Sequence, residues 1–210
     1  MDIIVSILLS APGALITVGF HEFVKAAVSS KLGDPTPKRE GRLTLNPFSH
    51  VDPLGLLFMV FLGYGWGRPV NTSPVFYANR KRDTVITHAL PVVANVLLSA
   101  AFLCAGFLIF QTVPESGGGI AGDAAYHASR ALISCARFNI AYAVLNIAPV
   151  YPFAGAKILS AALRPQAAVK LLQYEKVLQM LLIVLILTRA VDFVIGPVAD
   201  AFLGFMLNLL

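Results

Sequence analysis

Long apolar runs, parted by short charged loops, leave this chain few ways to fold. Residues 3–30, 84–111, 124–148, 168–188 and 191–210 are each predominantly apolar. At about 1.5 Å per residue, some 20 such residues span the roughly 30 Å hydrocarbon core of a bilayer. Composition points the same way: 57% of the 210 residues are hydrophobic and 13% charged, against about 25% charged in a soluble domain. The pattern predicts an all-α polytopic membrane protein with five to six membrane segments, residues 1–210 forming one membrane domain. Its core is 1–165, with C-terminal helices over 166–210. Residues 53–65 are apolar but short for a span, so they are expected to be re-entrant. Leu43–Leu45 and Arg68–Asn71 are expected to form a short β-strand pair at the cytoplasmic face.

The first apolar run begins after an acidic Asp2, without the basic start of a signal peptide. It is expected to stay as a membrane helix. The net charge is +5, and most Lys and Arg lie in 31–52, 66–83 and 150–170. Placing all three in the cytoplasm puts the N-terminus and the acidic, glycine-rich turn Pro114–Asp123 outside and the C-terminus inside. The basic loops would meet anionic headgroups of the lipid bilayer. No basic helix or aromatic-basic module is present, so no nucleic-acid partner is expected. Cys104 and Cys135 lie inside apolar runs and read as small core side chains, not a disulfide.

Inside the first run stands His21-Glu22-Phe23-Val24-Lys25. This is the zinc-protease pattern H-E-x-x-H with its last letter changed. Two histidines four apart on a helix face one Zn²⁺, and the glutamate acts as general base on the bound water. Position 25 is instead lysine, whose ammonium has three donors and no lone pair. Glu22 and Lys25 are three apart on a helix and can pair on one face. In a membrane that pairing supplies the partner a buried charge needs.

Further stretches follow in order. Gly33-Asp34-Pro35-Thr36-Pro37 precedes Gly41-Arg42-Leu43-Thr44-Leu45-Asn46-Pro47 and His50-Val51-Asp52-Pro53. Then come Gly65-Trp66-Gly67-Arg68-Pro69-Val70, Pro91-Val92-Val93-Ala94-Asn95, and Asn146 to Gly155. Together with the His21 turn, this set resembles the site-2 protease family of intramembrane zinc metalloproteases, in its compact form without a PDZ domain. The resemblance implies that Glu22 occupies the base position and His21 a metal-ligand position. It places the other two ligands at Lys25 and Ala154, neither of which can ligate. It also implies catalytic or substrate-holding roles for Asn95 and Asn146, with Pro149 and Pro152 beside Asn146 in a substrate-binding loop. His88 is a possible substitute ligand, whereas His50 and His127 read as interfacial polar residues and Trp66 as an interfacial anchor. Arg137, Asn139, Glu175 and Lys176 are either helix–helix hydrogen bonders or the lining of a polar groove.

These readings imply a degenerate, catalytically inactive pseudoprotease with no cofactor, which binds a transmembrane or membrane-proximal segment of a client protein. The alternative is an active zinc endopeptidase with a non-standard ligand set, cleaving transmembrane substrates. A third class, a structural subunit or transporter, lacks the repeated broken-helix pair that transporters show.

Overall fold

Residues 2–111 and 119–209 are described in the computed structural model, with side chains from Ala11 onward. Their regular secondary structure is all helical, and among them no strand forms. Three long helices make the centre: α1 (Asp2–Lys31), α4 (Arg80–Gln111) and α5 (Gly119–Leu145) pack against one another. A short α2 (Thr36–Arg39) and α3 (Pro53–Leu62) lie between α1 and α4 in sequence and pack on α1. After α5 come α6 (Ala154–Ala162), α7 (Pro165–Gln173), α8 (Glu175–Leu187) and α9 (Asp192–Leu207). Helix α6 docks on α4, and α9 closes over α5.

Small residues set the α4–α5 spacing. A Cβ at Gly106 would stand 3.0 Å from Ile133, and Ser129 donates to the Gly106 carbonyl at 2.8 Å. Ser99 donates to the Ala136 carbonyl at 2.7 Å. Such hydroxyl-to-backbone bonds between closely approaching helices suit an apolar solvent. Around them Leu103, Ala136, Ile140, Ala199 and Leu203 form one core cluster. A second gathers Val18, Met59, Phe138 and Tyr142 beside the His21 turn.

Helix α3 is delimited by its own sequence. Asp52 accepts from the Gly55 N–H at 2.8 Å, and Pro53 opens the first turn, where a missing N–H costs nothing. Gly63 ends the helix in the left-handed region, at φ 85°. The chain then returns extended along α3, so closely that a Cβ at Gly55 would fall 2.0 Å from the Trp66 carbonyl oxygen. At 10 residues α3 is too short to cross a membrane by itself.

Three expectations are corrected. The strand pair does not form, because both segments bond elsewhere. The Val70 N–H goes to Glu22, the Arg68 N–H to the His50 carbonyl, and the Thr44 carbonyl to the His50 ring. Five to six spans are not reached among the described residues. Arg80–Gln111 is long and apolar enough to cross a membrane. Helices α8 and α9, bent by 69° at their break, add a second crossing if they count as one broken span. Helix α5 carries Arg130, Arg137 and Asn139, which lower its hydropathy. Trp66 is no interfacial anchor: it is buried against Leu145, Phe153, Leu182 and Ile186. The expected outer turn falls partly on 112–118, outside the described residues, and Asp123 belongs to α5.

Candidate functional site

One turn of α1 brings His21, Glu22 and Lys25 into the interior, with 0%, 3% and 3% of each exposed. Lys25 Nζ donates to Glu22 Oε1 at 2.7 Å. The other carboxylate oxygen, Oε2, accepts the Val70 N–H at 2.6 Å. Both oxygens of Glu22 are therefore engaged, one by a cation and one by the extended return that follows α3. A buried carboxylate without such partners would cost several kcal/mol.

The tautomer of His21 follows from two carbonyls that can only accept. Asn139 Nδ2 donates to the Cys135 carbonyl at 2.9 Å, so Asn139 presents Oδ1 to Asn95. Asn95 Nδ2 donates to that oxygen at 2.8 Å and to the Thr17 carbonyl at 3.3 Å. Asn95 Oδ1 thus faces His21 Nδ1 at 2.8 Å, and Nδ1 carries the hydrogen. The lone pair is left on Nε2, which is buried and has no hydrogen-bond partner among the described residues. The Tyr142 ring stands edge-on to the imidazole, 5.1 Å between centroids. Asn95 thus orients His21, and Asn139 orients Asn95.

Asn146 works on backbone. Its Nδ2 donates to the Tyr142 carbonyl at 2.9 Å, and its Oδ1 accepts the Ala154 N–H at 3.3 Å. Its carbonyl accepts from Gly155 at 2.8 Å. It thereby fastens the end of α5 to the first turn of α6, where Ala154 is buried. Pro152 borders a small cavity shared with Lys25 and His88, and Pro149 borders the next one. His88 Nδ1 donates to the Thr84 carbonyl at 2.9 Å. Arg137 reaches across to Asp200 on α9 at 2.6 Å, beside a groove of about 580 Å³. His127, Lys176 and half-buried Glu175 lie away from the His21 turn on α5 and α8.

Two polar hubs outside the motif hold the loops. Asp34 accepts from the Thr36 and Ser73 N–H groups at 2.9 and 2.7 Å and from Ser29 Oγ at 2.8 Å. Burial alone would raise its pKa, but these donors outweigh burial and hold it below the ordinary value. Because Ser29 gives its proton to Asp34, it accepts from Tyr77 at 2.8 Å, which in turn accepts from Thr87 at 3.2 Å. An aspartate ahead of Pro35, accepting two residues on, is the turn signal that could have revealed this hub. The second hub corrects the reading of His50 as interfacial. It is fully buried, donating Nε2–H to the Thr44 carbonyl at 2.9 Å, with Arg42 Nη2 3.4 Å from Nδ1. Burial first, then the Arg42 charge, lowers its pKa.

The His21 turn keeps the histidine and the glutamate of the H-E-x-x-H pattern, and Asn95 fixes the histidine ring. A Bacillus subtilis (strain 168) protein named "Putative zinc metalloprotease YwhC" is 27% identical over 187 residues, covering 89% of this chain and 84% of that protein. No family model and no solved structure matches the chain. The relative's name points to zinc and overturns the expectation that no cofactor belongs here. Tested against zinc, His21 fits: its Nε2 lone pair is free and its Nδ1–H is anchored, as in histidine ligands. The rest of the expected set does not fit, since Lys25 is held by Glu22 and Ala154 has no donor atom. Among the described residues, no group of three or more His, Cys, Asp or Glu residues stands close enough together to hold a metal ion.

Proposed function

We propose that the chain is a multi-pass membrane protein on a site-2-protease-like scaffold, which holds a transmembrane or membrane-proximal segment of a client protein without cutting it. The observation that carries this reading is the state of Glu22. A general base needs a carboxylate oxygen within reach of the water it deprotonates. Here one oxygen holds Lys25 and the other holds the Val70 N–H. The outer faces suit lipid, with Leu97 on α4 66% exposed and Phe193 on α9 86% exposed. The extended stretch 69–72 borders the cavity beside Lys25 and offers a client an edge to lie along.

The test uses the full-length protein in detergent with a single-span model peptide. A photo-crosslinker at Asn71 is expected to capture the peptide intact. Thr72→Trp should suppress capture, whereas Leu97→Trp on the outer face should not. Cleavage of the peptide that is lost in Glu22→Gln while the fold survives would overturn the reading. It would favour a second one, an intramembrane zinc endopeptidase, which the relative's name and the free Nε2 of His21 support. In that case donors beyond His21 complete the site, and elemental analysis of the purified protein should find near-stoichiometric zinc.

A further inference from the structure

A cavity of about 100 Å³ opens beside the Glu22–Lys25 pair. Pro69 to Thr72 form one wall and Tyr151–Pro152 another, with Lys25, His88 and Lys157 completing the lining. Among the described residues no acidic side chain lines it.

The charges around this hole do not balance. Lys25 is neutralised by Glu22 through one of its three N–H donors, which leaves two. Lys157 lies 5.4 Å over the Tyr151 ring, and among the described residues no carboxylate is within ion-pair reach of it. Glu175 borders the neighbouring cavity together with Lys157, without pairing to it. Glu40 is taken by Asn71 Nδ2 at 3.1 and 3.2 Å. His88 has given its Nδ1–H to Thr84, so Nε2 is what it offers an occupant. The lining therefore holds one uncompensated ammonium, spare donors on a second, and an imidazole nitrogen left as an acceptor.

The geometry points to a carboxylate-binding pocket, in which Lys157 and the spare donors of Lys25 receive the carboxylate of a client polypeptide. The cavity is small, about 100 Å³, and admits a carboxylate with its first methylene. A carboxylate is an end group joined by one bond, so it fits a small recess. A lipid phosphodiester carries a substituent on each side and does not. The carboxylate comes from the C-terminus of a polypeptide or from an Asp or Glu residue within it. This inference rests on the client-holding reading for the source of the ligand.

Three versions of one labelled apolar peptide separate the cases: C-terminal free acid, C-terminal amide, and amide with a single glutamate. Binding to the full-length protein in detergent is read by fluorescence anisotropy. The free acid, the glutamate peptide, or both should bind about tenfold more tightly than the plain amide, a gap that narrows with salt. Which of the two gains identifies the source. Lys157→Gln should erase the preference and Lys157→Arg should retain it, while Lys170→Gln on exposed α7 should leave it intact. Equal binding of all three peptides, or a preference that survives Lys157→Gln, would overturn the assignment. A second readout does not need a client: acetate, against chloride at equal ionic strength, should raise the Tm of the parent protein and not of Lys157→Gln. If acetate acts and no peptide binds, the pocket stands and the client reading falls. If neither acts, the pocket itself is wrong. Competition by inorganic phosphate stronger than by acetate would reassign the pocket to phosphate.

Discussion

At the scale of residues, the centre of this protein is an ion pair standing where a metal-ligand turn would be expected. Lys25 and Glu22 are each 3% exposed, so neither charge can fall back on water. Lys25→Met leaves a buried carboxylate with a single backbone donor. Breaking a buried pair in this way costs about 3–5 kcal/mol, which for a protein of this length lowers Tm by roughly 10 °C. Glu22→Gln with Lys25→Met removes both charges and keeps an acceptor for Val70. The double variant is expected to recover more than half of the loss in a detergent thermal-melt cycle. Additive losses would show that the two residues act independently. The pairing itself was legible in the sequence, because the i,i+3 spacing on a helix dictates it. The second bond of Glu22 was not, because Val70 lies 48 positions away and contributes only a backbone N–H. Asn95 was singled out for its place in a motif; its partners Asn139 and Thr17 come together only once three helices cross.

At the scale of elements, backbone contact decides what sequence patterns leave open. Helix α3 and its return touch through Gly55 and Gly65: a Cβ on Gly65 would fall 2.1 Å from the Gly55 carbonyl oxygen. No rotamer change relieves a clash with backbone, so Gly55→Ala must push the 63–67 segment off α3. That segment carries Trp66 into its core cluster and leads on to Val70. The expected result is poor yield and early aggregation in size-exclusion chromatography, and a well-folded, monodisperse Gly55→Ala protein would contradict the described approach. The helix-and-turn grammar was readable here: Asp52-Pro53 opens α3 and Gly63 closes it. The strand reading of 43–45 and 68–71 failed for a reason no local pattern shows. Their hydrogen-bonding groups are claimed by Glu22 and by His50.

At the scale of the molecule, the stitching of the loops to the helices should make stability depend on pH in two separate windows. His50 is buried with its pKa below the ordinary 6.5. The unfolded protein therefore takes up a proton there before the folded one does. Its contribution is complete above about pH 6.5 and declines as pH falls through and below that value. Asp34, also depressed, contributes fully above its ordinary 3.8 and loses that contribution only as pH falls further, toward its folded value. Tm measured from pH 8 down to about 3 should show both declines, and His50→Gln should reduce the upper one. An upper slope unchanged in that variant would remove His50 from the account. Hydropathy announced a membrane protein but counted more crossings than Arg80–Gln111 and the bent α8–α9 pair supply. The difference arises at α5, which interrupts its apolar run with Arg130 and Arg137, and at α8 and α9, which were read as two spans and pass only as one pair bent by 69°.

The bond from Val70 to Glu22 also changes what a knockout can mean. A carboxylate that clamps an extended segment to the first helix is as much a hinge pin as a reactive group. Replacing it loosens the wall of the neighbouring cavity whether or not any bond is ever cut there. Loss of activity at position 22 is therefore diagnostic of chemistry only when the position of residues 69–72 is shown to be unchanged, for example by an undiminished crosslink from Asn71.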